Sequence, residues 1–248
     1  MITRRELEEY SKLRGMKNIG QAEIDYFQTI LLFIIYQNFG NEIIFKGGTA
    51  LSKCFGLNRF SEDLDFVCKR EFDFKIIEEG LKRFKIDFKI EKEIFERSKS
   101  YVLRINGPLF NGTKNSLCKL ILDFSFREEV IVKPLIKTIG RFLEEIPSFD
   151  VYVMSREEIF AEKIRAILTR NKSRDVYDLY FLLESGIKFD TDLVNKKLDY
   201  YKIKFNKKDF IKAIKNKKEI WKSELSGLIG NVPAFNGVLN KIVGELKS

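Results

Sequence analysis

Asp63 and Asp65 stand one residue apart in "SEDLDFVC" (61–68), where the residues after Glu62 are otherwise apolar. An ionised carboxylate is an acceptor-only oxygen ligand, and Mg2+ prefers such ligands. If 64–68 is a strand, alternate residues share a face, so Asp63 and Asp65 point one way and Leu64 and Phe66 the other. Asp123 repeats the theme in "LCKLILDFSF" (117–126). It shares a face with Ile121 and Ser125, while Leu120, Leu122, Phe124 and Phe126 form a buried face. A lone carboxylate in so apolar a strand is costly. Set beside the first strand, it brings three carboxylates together, a group that repels itself unless cations hold it. One or two Mg2+ ions are the expected counter-charge. Two such ions roughly 4 Å apart serve an in-line phosphoryl or nucleotidyl displacement.

Upstream, Gly47-Gly48-Thr49 follows the short apolar run "IIFK" (43–46) and opens "TALSKCFG" (49–56), which reads as a helix. A helix start exposes backbone N–H groups and the positive end of the dipole, which suits phosphate, and glycine admits close approach. The loop is not a Walker loop, because GxxxxGK[ST] is absent. A third constellation lies in "REEIFAEKIRAILTRNKSRDVYDLYFLL" (156–183). Lys163 is four residues from both Ile159 and Ile167, inside the apolar stripe of a helix, so it faces protein. Asp175 and Asp178 are three apart and share a helix face. A salt bridge to Arg174 or Lys163 would account for them structurally.

Composition limits the chemistry further. There is no histidine, so a Ser-His-Asp triad, an HExxH zinc site and a histidine base are all excluded. Three cysteines without a CxxC motif fit reduced thiols rather than a disulfide framework. The longest apolar run, Ile30 to Tyr36, is far short of the ~20 residues of a membrane span. "MITRRELEEY" carries no apolar leader. The expectation is a cytoplasmic protein with no membrane contact.

These residues need elements to position them. Thr3 and Glu6 form a capping-box signature. A long helix is expected over about 20–39, strands over 43–46 and 64–68, and an amphipathic helix over 73–84. Alternation predicts further strands at 85–96, 100–106 and 117–126. Strands stop near 153, and helices follow at about 155–169, 174–184, 190–199, 207–224 and 234–246. The fold class is therefore α/β (α+β), a mixed sheet flanked by helices and then an all-helical region. The domains are 1–150 and 151–248. Residues 151–248 hold 20 Lys and Arg against 13 Asp and Glu, most of the excess in a net charge of +9. A basic helical region suggests a polyanionic partner.

The order of these motifs resembles the nucleotidyltransferase superfamily, with its GG[ST] loop, its DxD-type pair and its third carboxylate. More closely, "FKGGTALSKCFGLNRFSEDLDF" (45–66) and the 156–183 block resemble the AbiEii family of toxin nucleotidyltransferases. The resemblance covers about 43–185. It implies transfer of an NMP from an NTP, with pyrophosphate leaving, by a toxin that has a cognate antitoxin. It implies RNA as acceptor, most plausibly the tRNA 3′ end, bound through the basic C-terminal region. Asp63 and Asp65 would hold Mg2+. Asp123 would complete a second metal site or act on the acceptor hydroxyl. Lys46, Gly47, Gly48, Thr49 and Ser61 would contact phosphates. Lys163 would steady the triphosphate, with Asp175 or Asp178 organising it. Two other readings fit the same residues: transfer to a protein or small-molecule hydroxyl, and a non-catalytic RNA- or partner-binding module.

Overall fold

The computed structural model describes residues 1–16, 18–127, 129–141 and 145–246. The first helix, α1 (Arg4–Leu13), starts where the capping box requires: Thr3 and Glu6 satisfy each other's backbone N–H groups. The second, α2 (Ile19–Phe39), is capped by Asn18, and every residue from Tyr26 to Tyr36 is buried. A helix apolar on all sides must be enclosed. Its two buried carboxylates both have partners: Asp25 binds Lys53 at 2.6 Å and also accepts from Tyr10 and Arg14, and Glu23 accepts from the Leu109 N–H at 2.8 Å.

The chain then runs β1 (Ile43–Lys46), α3 (Gly47–Phe55), β2 (Leu64–Cys68), α4 (Lys75–Arg83), β3 (Phe88–Phe95), β4 (Ser98–Ile105), β5 (Cys118–Ser125), β6 (Leu135–Ile139) and β7 (Phe149–Val153). These seven strands form one mixed sheet in the order β3-β4-β5-β2-β1-β7-β6. The β1/β7 and β2/β5 pairs are parallel and the others antiparallel. The alternation in β5 puts Leu120, Leu122 and Phe124 into the core. There Phe124 stacks on Phe66 at 5.1 Å, and Phe74 stacks on Tyr101 at 3.7 Å. Such pairs add about 0.5–1.5 kcal/mol to the burial of each ring. The expected strands are present. The sequence reading singled out neither β6 nor β7, giving only an end of the strands near 153; the residues of β6 are exposed up to Ile139, so no buried period marks it.

Six helices follow: α5 (Arg156–Thr169), α6 (Ser173–Glu184), α7 (Thr191–Asp199), α8 (Lys207–Lys215), α9 (Lys218–Leu225) and α10 (Phe235–Glu245). The single helix expected at 207–224 is two. Lys217 is 3% exposed, and its ammonium is spent on the carbonyls of Ile167 and Ala213, while Ser173 Oγ donates to the Lys217 carbonyl. Those bonds fix a break that no glycine or proline announces. The chain divides into two compact units. One comprises residues 1–54, 62–130 and 134–153 and holds the sheet. The other comprises 55–61, 131–133 and 154–248 and holds α5 to α10. Among the described residues no helix is long and apolar enough to cross a membrane.

Candidate active site

In the sheet unit the site is built from a strand register. Lys46 of β1 lies opposite Asp65 of β2, Asp65 opposite Asp123 of β5, and Asp123 opposite Ser100 of β4. Residues directly opposite one another share a face, and adjacent strands are ~4.8 Å apart. Two carboxylates thus stand side by side on neighbouring strands, half-buried, with a lysine and a serine flanking them. Asp63 immediately precedes β2. Its carbonyl accepts from Thr49 Oγ1, and the Glu62 carbonyl accepts from Gln28 Nε2 at 2.9 Å. The segment before the strand is therefore tied to α3 and α2.

Gly47 begins α3 with φ of +78°, in the left-handed region, and a Cβ there would collide with the Asp65 carboxylate. Glycine is needed twice over, for its backbone and for the space it leaves. Gly48 and Thr49 follow, buried in the first turn of α3, where N–H groups lack intrahelical acceptors. Ser61 is half-buried at the end of the 55–61 segment, which belongs with the helical unit.

Three carboxylates were expected to converge. Among the described residues no group of three His, Cys, Asp or Glu side chains is gathered closely enough to hold a metal ion. The register makes a pair of Asp65 and Asp123 instead, with Asp63 two residues away along the chain. That arrangement fits Mg2+, which is commonly held by one or two carboxylates and completed by water and substrate phosphates.

In the helical unit, Lys163 of α5 binds Asp175 at 3.0 Å and Asp178 at 2.6 Å, both on α6. Both aspartates are fully buried, and Lys163 is 6% exposed. Two of its three ammonium protons are thereby engaged. Asp178 also receives a two-pronged guanidinium from Arg59, at 2.5 and 2.7 Å, and Asp175 receives one from Arg170, at 2.7 and 2.8 Å. Sequence reading offered Arg174 or Lys163 as partner. Lys163 is one; Arg174 is not: it is adjacent to Asp175, which does not favour a contact, and the Asp178 carboxylate one turn on is taken by Arg59 and Lys163. Sequence reading left open which aspartate meets the lysine, and both do. It missed Arg59, 119 residues from Asp178; the signal available was an arginine inside the GLNRFSED segment.

The charges hold one another ionised. Burial pushes the Lys163 pKa down, but Asp178 and Asp175 more than reverse this and hold it above its ordinary value. Burial pushes both carboxyls up, yet Lys163 with Arg170 holds Asp175, and Arg59 with Lys163 holds Asp178, below the usual carboxylate range.

A family model described as "Nucleotidyl transferase AbiEii toxin, Type IV TA system" matches residues 30–241. The chain belongs to the AbiEii family. It is thus a nucleotidyltransferase toxin by family, and the type IV toxin–antitoxin class implies a cognate antitoxin. Solved structures share the fold. The chain is similar to MenT4, a nucleotidyltransferase toxin from Mycobacterium tuberculosis H37Rv, with a TM-score of 0.68 and 18% identity over 99% of this chain and 88% of that one. It is also similar to JHP933 from Helicobacter pylori, with a TM-score of 0.62 and 20% identity over 90% and 88% of the two chains. A nucleotidyltransferase described as putative, from H. pylori, gives a TM-score of 0.58 and 20% identity over 88% and 89%. A search of curated proteins by sequence gives no match.

Proposed function

We propose that this AbiEii member transfers an NMP from an NTP to the 3′ hydroxyl of an RNA, a tRNA, in a Mg2+-dependent reaction. The observation that carries the reading is the in-register pair Asp65 and Asp123 beside the Gly47 turn. When bound, the divalent ion supplies charge neutralisation at the phosphates. Asp65 and Asp123 would hold it, with Asp63 two residues along the chain reaching it through water or substrate. Lys46, the N–H groups of Gly47, Gly48 and Thr49, and the Ser61 hydroxyl would receive the phosphates. Lys163, fixed by Asp175 and Asp178, has one ammonium proton left for a phosphate oxygen. In the transfer the acceptor oxygen forms a bond to the α-phosphorus, the α–β bridging bond breaks, and pyrophosphate carries away the bonding pair. The hydroxyl proton passes to a carboxylate, with Asp123 our choice, or to water.

RNA is favoured as acceptor by the helical unit. Lys202, Lys204, Lys207, Lys208, Lys212, Lys215 and Lys218 are all exposed, and clustered exposed cations attract a polyanion. The test is to incubate the protein with Mg2+, each labelled NTP in turn and total tRNA, alongside Asp65→Asn. Label in RNA with wild type alone supports the reading and identifies the nucleotide. Label in protein or in a supplied small hydroxyl compound transfers support to those acceptors. A folded protein that labels nothing leaves a binding module as the better account.

A further inference from the structure

β5 outruns its neighbour. The β2/β5 pairing extends from Leu64 opposite Leu122 to Val67 opposite Ser125, so residues 118–121 have no β2 partner. The space beside that edge is a cavity of about 530 Å³, bounded by Gln21 of α2, Glu62, Asp63, Ser116, Lys119 and Ile121. Its volume is in the range of a small-ligand pocket. Asp63 forms part of its wall. Among the described residues of the wall, Glu23 and Glu62 add negative charge and Lys119 is the cation. Such a wall repels phosphate but accepts hydroxyl and amine donors.

Farther along the same sheet the charge reverses. Lys89 of β3 lies opposite Arg104 of β4, and Arg104 opposite Lys119 of β5. Three adjacent strands therefore carry one cation each, ~5 Å apart. By alternation Lys119 shares its face with Ile121 and Asp123. The cation row thus lies on the carboxylate face, four residues or ~13 Å from Asp123. Lys89 and Lys119 are exposed. Arg104 also holds Glu91 at 3.0 Å, an exposed pair that competes weakly. A second cavity, about 340 Å³, is lined by Lys89, Arg104 and Lys114 together with Phe88 and Phe110, and Leu117 borders both cavities. Phe110 is 37% exposed, and cations beside an exposed ring are what single-stranded nucleic acid binds, through phosphates and a stacked base.

We propose that the single-stranded 3′ end of an RNA acceptor lies along this path, its phosphates over Lys89, Arg104 and Lys119 and its terminal nucleoside in the cavity beside Asp63. The inference rests on the reading of the protein as an RNA-directed transferase and adds where the acceptor end sits. The change of sign along the face sets the polarity: the hydroxyl end goes to the acidic cavity, and the phosphates trail over the cations.

The test compares wild type with Lys89→Glu/Arg104→Glu/Lys119→Glu. A labelled single-stranded oligoribonucleotide is titrated by fluorescence anisotropy at several salt concentrations, and KM is measured separately for RNA and for NTP. The affinity for RNA should fall at least tenfold. The slope of log affinity against log salt should become shallower by about 2, because three phosphates of the single strand are no longer neutralised by the protein. KM for RNA should rise and KM for NTP should hold. Should the triple variant fold poorly, Lys89→Glu/Lys119→Glu makes the same comparison at two exposed positions. Wild-type affinity and slope in a variant of a protein that does label RNA overturn the path alone. A rise in KM for NTP instead of RNA also overturns it, and gives the cavity to the nucleotide. A wild type that labels no RNA overturns the parent reading, and the path with it.

Discussion

Asp175 and Asp178 are completely buried, and Lys163, Arg59 and Arg170 answer their charge at hydrogen-bonding distance. Asp65 and Asp123 are half-exposed on a sheet face, one strand apart. In sequence the doublets Asp63/Asp65 and Asp175/Asp178 look alike: short-spaced aspartates in apolar surroundings. The fold gives them opposite tasks. A buried carboxylate paired with cations is costly to break, because removing one partner leaves the other charge uncompensated. Two neighbouring carboxylates at a surface contribute little to stability and have every reason to attract a cation. The first arrangement should resist change through stability and the second through catalysis, and substitutions separate the two.

The largest effect should come from Asp65→Asn. Losing one of the paired carboxylates should slow transfer on the order of 1000-fold, about 4 kcal/mol of transition-state stabilisation. Thermal unfolding should change little, because Asp65 is half-exposed on the sheet face. Activity in a tRNA-labelling assay and the melting temperature decide it; a large fall in melting temperature with activity intact would reverse the assignment of the two sites. Asp178→Ala should act first through stability. It leaves Arg59 and Lys163 short of a buried partner and should cost about 3–5 kcal/mol, read from urea unfolding. Gly47→Ala lies between the two. The left-handed backbone costs about 1–2 kcal/mol for a residue with a side chain, and the new methyl displaces Asp65. A displacement near 1 Å can lower the rate about 100-fold, so activity should suffer more than stability.

The contrast also explains what the sequence made visible. The face shared by Ile121, Asp123 and Ser125 follows from a period of two, and so does the buried face of Leu120, Leu122 and Phe124. The Gly47-Gly48 break and the Thr3–Glu6 cap are local chemistry, readable within a few residues. The register that sets Asp65 against Asp123 is not local. It depends on how two strands 58 positions apart align, and hydrophobic alternation fixes their faces but not their exact offset. Arg59 was illegible for the same reason, since its partner is 119 positions away. Lys217, which ends α8 by spending its charge on carbonyls, looks in sequence like one more surface lysine.

The smallest effect tests whether the buried network is as self-sufficient as its geometry says. Arg170 is its outermost member, 51% exposed while Asp175 is fully buried. An exposed guanidinium is screened by water, so Arg170→Ala should cost only about 1 kcal/mol at neutral pH. Its signature lies in the pH dependence. The folded pKa values of Asp175 and Asp178 are below the ordinary value of 3.8. Their contribution is therefore complete above that value and is lost as pH falls through the depressed folded values. Lys163 is raised above 10.5, so its contribution is complete below that pH and is lost only as pH rises through the folded value. Removing Arg170 lets the Asp175 pKa rise toward normal, and acid unfolding should begin about half a pH unit earlier, with the alkaline limb unmoved. Trp221, the chain's single tryptophan, is 4% exposed in the helical unit, so its fluorescence follows that unit. An unshifted acid limb would mean that Lys163 alone sets the ionisation of Asp175. In that case Arg170 binds a carboxylate whose charge was already secured, and the network closes at Lys163 and Arg59.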